Sequence, residues 1–426
     1  MSDFDRESDD VVAVPDSTSV EYNPFDEQTL ADPIGTHRRL REGCPVHRFD
    51  AFDPPFFTLS RYDDVVSALR DTETFSSRHG QGPRHTPEGG LFSDPPAHTA
   101  FRRLLQRAFT PRAVADMEPF VAGLADDLLA RLVGAGRGDL HAEFASPLPT
   151  ITIATMLGIP PDDHSRFKEW SDALAADLVA TDRETHRSVW RDLRAYLDEH
   201  IEARRDALER DDDLSDDLIS ALVTAEDEDA SLSSAEIFGV IVQLLVGGNE
   251  TTTSLITNAV VRLLEQPDLL QRVRADLSLI DVVIEESLRF DAPVLGLFRT
   301  TTCPIEKHGV EIPEDAKVML LYASANHDDA EFDEPDVFSL DRPPQEARRH
   351  VGFGAGPHFC LGAPLARLEA REALRAIVSG LPGLRFDGEH ERVAPFYLWG
   401  RRSLPVAWDR PDTEGEPNRR SGSTTE

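Results

Sequence analysis

The residues best suited to chemistry lie in one short loop, Phe353-Gly354-Ala355-Gly356-Pro357-His358-Phe359-Cys360-Leu361-Gly362. The metal-binding form of a cysteine is its thiolate. Cys360 stands just before a helical pattern, where free N–H groups and the helix dipole favour negative charge. Gly354, Gly356 and Gly362 let the backbone approach a flat ligand closely and aim N–H groups at sulfur. His358 can hydrogen-bond an anionic group at the rim. A lone cysteine among glycines also reads as a structural residue in a tight turn. Zinc is a poor alternative: closed zinc sites need four ligands, and Cys44 with His47, and Cys303 with His308, are isolated pairs.

Two further groupings can do chemistry. The segment Gly247-Gly248-Asn249-Glu250-Thr251-Thr252 places an acid beside a hydroxyl, after two glycines inside a helical pattern. Each glycine costs a helix about 1 kcal/mol against alanine, so the pair has a purpose: room for a ligand, or a close helix crossing. Glu286 and Arg289 are three apart and share a helix face. Such a pair on a surface contributes little.

The elements that must position these groups are mostly helical. Phe120, Leu124, Leu128 and Leu132 recur every four residues, and Leu193, Leu197 and Ile201 mark a helix running from Trp190 to Leu208. A long helix starts near Ser233, which has capping-box spacing with Glu236, and ends at Gln266-Pro267. At about 1.5 Å per residue it spans roughly 45–50 Å, enough to cross a domain. Val294 to Thr302 and Val318 to Ala323 read as strands. After Cys360, Leu361, Leu365, Leu368, Leu374, Ile377 and Leu381 follow another helical face. The fold class is therefore mainly α with small β-sheets. Residues 21–408 are expected to form one domain, with residues 1–20 and 409–426 as polar, disordered tails.

Composition excludes several classes. Acidic residues number 78 against 44 basic ones, a formal net charge of −34, and the only lysines are Lys168, Lys307 and Lys317. Such a surface repels nucleic acid and anionic membranes. Its acid excess resembles that of proteins from salt-loving archaea, and loss of structure in low salt is the expectation. Three scattered cysteines make no disulfide framework, which suits a reducing cytoplasm. Residues 1–26 lack a signal-peptide pattern. The longest apolar run, Ile237 to Gly248, is too short to span a membrane.

The cysteine loop, continued by Ala363 to Arg367, strongly resembles the haem-binding signature of cytochrome P-450 enzymes. The Glu286–Arg289 pair matches that family's Glu-x-x-Arg, and Arg342 matches the arginine that joins it as a structural lock. Gly247 to Thr252 resembles the family's oxygen-activating segment. Pro96-Ala97-His98-Thr99 with Arg102, and Arg299, resemble its haem propionate-binding positions. Ala325-Asn326-His327-Asp328 resembles its Ala-Asn-x-Asp step. Together the matches cover about residues 20 to 408.

The resemblance implies the cytochrome P-450 fold, with a long helix over haem b and the cysteine loop below it. It implies Cys360 as thiolate ligand of the iron, with His98, Arg102, Arg299, Phe353, His358 and Gly362 holding the cofactor. Glu250 and Thr251 would be catalytic, relaying protons and hydrogen-bonding the co-substrate dioxygen. Phe92, Leu244, Gly247, Val294, Leu295, Leu297 and Leu398 would wall an apolar substrate pocket, entered past a loop from Gly80 to Gly90. The reaction would insert one oxygen atom into a modest apolar molecule. No flavin or nicotinamide signature is visible, so electrons must come from a partner. An acidic ferredoxin docking on Arg102, Arg103, Arg107 and Arg112 and on Arg348, Arg349, Arg367, Arg371 and Arg375 is the expectation. Peroxide-driven relatives lack the acid–threonine pair present here. A haem carrier or gas sensor would not need it.

Overall fold

One unbroken helix, Ser234–Glu265, runs through the molecule for 32 residues. It begins where the Ser233–Glu236 spacing places it: Ser233 caps the first turn and the Glu236 carboxylate accepts from the Ser233 N–H at 2.8 Å. It ends before Pro267. The computed structural model describes residues 20–410 apart from 87–88, 107, 178–186, 228–229 and 394–395. The expected tails fall outside the described residues except for Val20, Asp409 and Arg410.

The helices that position the site are α1 (Ala97–Gln106), α2 (Glu118–Val133), α3 (Pro147–Met156), α4 (His164–Asp177), α5 (Arg187–Glu209), α6 (Ser234–Glu265), α7 (Ile280–Phe290) and α8 (Ala363–Gly380). One apolar core gathers α2, α7, α8 and the C-terminal half of α6 around Leu129, Ile256, Val260, Val283, Leu374 and Ile377. A second joins α3, α4 and α5 to the N-terminal half of α6 through Ile153, Phe167, Leu197 and Ile241. The face read through Phe120 is correct from Leu124 onward, but Phe120 is exposed at the first turn of α2.

The C-terminal half of α6 is buried on all sides although it carries Thr253, Thr257 and Asn258. Burying polar groups is tolerable only when they are hydrogen-bonded, and these are. Thr253 donates to the Ala145 carbonyl, and the Asn258 amide donates to the carbonyls of Asp291 and Trp399.

A five-stranded sheet packs beside the helices. Its strands are β1 (Val46–Phe49), β2 (Phe56–Leu59), β3 (Phe75–Ser76), β4 (Leu297–Thr301) and β5 (Lys317–Leu320), in the order β1-β2-β5-β4-β3. β4 pairs antiparallel with β5, placing Arg299 opposite Val318. Both strands are shorter than the sequence suggests. Before β4, Gly296 lies so close to β5 that a Cβ there would sit 2.5 Å from the Leu320 carbonyl, and Val294 makes only an isolated bridge to Leu398. After β5 the chain turns at once into a short helix, Tyr322–Ala325.

Candidate active site

The cysteine loop is held from within. The Cys360 N–H donates to the Phe353 carbonyl at 3.0 Å, and the Gly354 N–H to Val351 at 2.8 Å. Gly356 has φ +68°, and a Cβ there would approach the Leu69 carbonyl to 2.6 Å, so both conformation and space require glycine. Gly362 is the N-cap position of α8, so Cys360 lies two residues before the cap. Burial pushes the Cys360 thiol up, while the N–H groups of Gly362 and Ala363 and the charges of Arg102 and Arg367 pull it down. Those groups stabilise a thiolate, and a coordinated metal would complete the deprotonation.

The sulfur faces a cavity of about 1100 Å³. His98, Arg102, Arg299, Phe353, His358 and Gly362 line it too. Arg299 is buried on β4; it donates to the Phe298 carbonyl at 2.8 Å and has no carboxylate in ion-pair reach among the described residues. An uncompensated buried cation is costly. The His98 and His358 rings lie 4.1 Å apart. Burial lowers both imidazoles, that of His358 to about 3, with Arg299 and His98 adding to the His358 shift. The buried His98 Nδ1 has no partner among the described residues. Two guanidiniums and an orphaned ring nitrogen thus border the cavity that the sulfur faces.

α6 contributes Gly247, Gly248, Glu250 and Thr251 to the same cavity. The two glycines divide the alternatives read from the sequence. A Cβ on Gly247 would meet nothing within 4 Å, so this glycine keeps space open. A Cβ on Gly248 would lie 2.7 Å from Ile153 Cδ1, so this one permits the crossing with α3. The Thr251 hydroxyl donates to the Gly247 carbonyl at 2.6 Å. Its proton is thereby engaged, and its lone pairs remain to accept. Glu250 is held above the usual carboxylate range, first by burial and then by Asp172, with Lys168 opposing. Asp172 and Lys168 form an exposed pair on α4, at 2.6 Å. Asn249 turns away and donates to Ser171 at 2.8 Å.

Residues 36–381 match the sequence model of the cytochrome P450 family. The chain belongs to the cytochrome P450 family. It is 40% identical over 393 residues to the erythromycin C-12 hydroxylase of Saccharopolyspora erythraea, covering 89% of this chain and 95% of that protein. It is 36% identical over 407 residues to the cytochrome P450 monooxygenase PikC of Streptomyces venezuelae, covering 92% and 94%. The structure of CYP109Q5 from Chondromyces apiculatus superposes with a TM-score of 0.82 at 34% identity, covering 92% of this chain and 99% of that one. The protein is therefore a P450 monooxygenase, with haem b as cofactor and dioxygen as co-substrate. The cavity fits that cofactor. Cys360 offers a thiolate, Arg102 and Arg299 offer positive charge, and His98 offers an unpartnered ring nitrogen for two carboxylates.

This P450 also joins the three residues expected to form a structural lock. Glu286 and Arg289 are wholly buried and share two hydrogen bonds, at 2.8 and 2.9 Å. Arg342 reaches the same carboxylate at 3.1 Å. The surface-pair reading does not hold here. The pair is interior, and removing one partner from such a pair costs about 3–5 kcal/mol. Asn326 ties the lock to the cysteine loop, its Oδ1 accepting from the Val351 N–H at 2.7 Å.

Phe92, Leu244, Gly247, Val294, Leu297 and Leu398 all line the cavity. Leu295 does not; it packs with Ala323 and Trp399 instead. Along an extended segment neighbouring side chains point to opposite faces, so Val294 faces in and Leu295 out. Of the Gly80 to Gly90 loop, Gln81, Thr86 and Gly89 line the cavity. Lys317 donates to the carbonyls of His79 and Gly80, and Gln243 to that of Gly89.

The sequence reading misses Tyr397 and Glu369, which both line the cavity. Glu369 is buried on α8, and burial raises its carboxyl to about 8 against hydrogen bonds with Thr152 and Thr252. Its Oε1 has no partner among the described residues. The signal in the sequence is an acid four residues after Leu365, on the apolar face of α8.

Proposed function

We propose that Cys360 is the haem iron's thiolate ligand and that this P450 oxygenates apolar small molecules in the cavity bordered by Gly247 to Thr251. One observation carries the reading: the Cys360 sulfur, the cations Arg102 and Arg299, and the acid–threonine pair of α6 all line one cavity. When bound, haem supplies reductive activation of dioxygen, and a thiolate ligand favours O–O cleavage. The chain's own part is to hold the cofactor, exclude water and deliver protons. Thr251, its donor engaged with Gly247, accepts a hydrogen bond from the cavity side. Glu250 holds a proton more readily than a surface carboxylate and passes it inward from the Asp172 edge. His98, Arg102, Arg299 and His358 serve the propionate side, and Phe353 and Gly362 shape the sulfur's surroundings.

Largely aliphatic walls favour an apolar substrate. The similarity to a protein named erythromycin C-12 hydroxylase fits a hydroxylation. Electrons are assigned to a ferredoxin-type donor, but the docking surface is narrower than the arginine count suggests. Arg349, Arg367, Arg371 and Arg375 are each tied to an acid of this chain. Arg102 faces the cavity, and Arg107 lies outside the described residues. Arg103, Arg112 and Arg348 are exposed without an ion pair among the described residues, and they are the charges left for an acidic partner. Residues 21–408 are taken as one catalytic domain acting in a salt-rich cytoplasm. No described helix is long and apolar enough to cross a membrane.

The test is an absorption spectrum of the purified protein in high salt, reduced and exposed to carbon monoxide. A strongly red-shifted Soret band that Cys360→His abolishes supports the assignment. A band at the position of histidine-ligated haem refutes it.

A further inference from the structure

Beneath the cysteine loop, Glu285 of α7 accepts from two directions. Its carboxylate takes two hydrogen bonds from Arg367 on α8, at 2.5 and 3.0 Å, and lies 3.2 Å from His350 Nε2. The other ring nitrogen, Nδ1, accepts from the Gly352 N–H at 3.1 Å. Since Nδ1 accepts, the neutral ring carries its proton on Nε2 and donates to Glu285. His350 is buried, and Arg367 also lies over the Phe353 ring, 4.7 Å from its centroid.

These contacts join two pieces of backbone that meet at the sulfur. His350, Gly352 and Phe353 form the arm entering the loop, and Phe353 receives the Cys360 N–H. Arg367 sits one turn beyond Ala363, whose N–H, with that of Gly362, is directed at the sulfur. We propose that Arg367, Glu285 and His350 form a clamp that closes the two arms of the loop on Cys360 and so sets how strongly its sulfur donates electrons. They are positioning residues. The inference rests on Cys360 being the iron's ligand. N–H groups held against a ligating sulfur withdraw electron density and favour the reduced metal. Opening the clamp therefore makes reduction harder.

The test is a potentiometric titration of the haem-loaded, full-length protein, followed by absorption, for the parent, His350→Leu and His350→Asn. Neither substitution alters a charge if His350 is neutral, as burial favours. Leu cuts both links; Asn can still accept from the Gly352 N–H but is too short to bridge to Glu285. Both variants are expected to shift the ferric–ferrous equilibrium toward ferric about tenfold, or about 59 mV for one electron, with the red-shifted ferrous–carbon monoxide band retained. Ferric–ferrous equilibrium constants within about twofold of the parent's, even with lowered melting temperatures, would show a purely structural role and overturn the clamp. Restoration of the parental potential by Asn alone would also overturn it, because the local turn would then suffice. If Leu prevents folding, Asn carries the comparison. A parent lacking the red-shifted band removes the thiolate reading, and the clamp with it, before any variant is compared.

Discussion

Replacing Glu369 by Gln should make the protein progressively more stable relative to the parent as pH rises from about 4.5 to about 8. The folded protein holds this carboxyl's proton to about pH 8, whereas the unfolded chain releases it near the ordinary value of 4.5. Between those limits the native state binds more protons than the unfolded state, so stability falls as pH rises. Each pH unit costs about 1.4 kcal/mol; across the window the parent loses about 5 kcal/mol that Gln, which has nothing to ionise, retains. Unfolding entropy of about 2 cal/mol/K per residue over 426 residues converts this to about 1.5 °C per pH unit. The assay is the melting temperature of both proteins from pH 5 to 8 in one salt. The curves should diverge by about 5 °C across that range, other titrating groups being common to both. A constant difference would refute the reasoning, showing that Glu369 is already ionised in the fold.

The paired glycines of α6 should respond oppositely to one methyl group. Gly247→Ala should gain about 1 kcal/mol of helix stability and narrow the substrate cavity, read as weaker binding of bulky ligands. Gly248→Ala should offset that gain with about 1–3 kcal/mol of overpacking, unless Ile153→Val removes the opposing Cδ1; additive melting shifts would contradict the contact. Arg112→Glu with Arg348→Glu should slow reduction by an acidic ferredoxin several-fold at low ionic strength, and an unchanged stopped-flow rate would exclude that docking face. Melting temperature should rise with potassium chloride, since salt screens the self-repulsion of a −34 chain; a salt-independent value would remove the halophilic reading.

Features set by neighbours in the chain were legible in the residues. The Ser233–Glu236 cap and Pro267 bound the long helix correctly, because both signals act within one turn. The cysteine loop was legible for the same reason, its glycines and Cys360 lying within ten residues. What the residues concealed depends on partners far along the chain. Arg375 meets Asp126 and Arg371 meets Asp281, pairings that no spacing announces, so the basic islands looked freer than they are. Leu295 was misplaced because an irregular segment gives no register, and facing in or out changes with each residue. The depth of Glu369 follows from the packing of α8 against α6 and α3, which periodicity alone does not convey.

The unequal burial of α6 has a mechanical consequence. Its C-terminal half is bolted to distant backbone by Thr253 and Asn258, whereas its N-terminal half borders the cavity and contains both glycines. Amide exchange should therefore be graded along a single helix, slow beyond Thr253 and faster before Gly248, as local opening follows local packing. The roof can then flex around different guests while the floor that carries the sulfur stays rigid. One continuous helix would thus let the same protein be both adaptable and electronically constant.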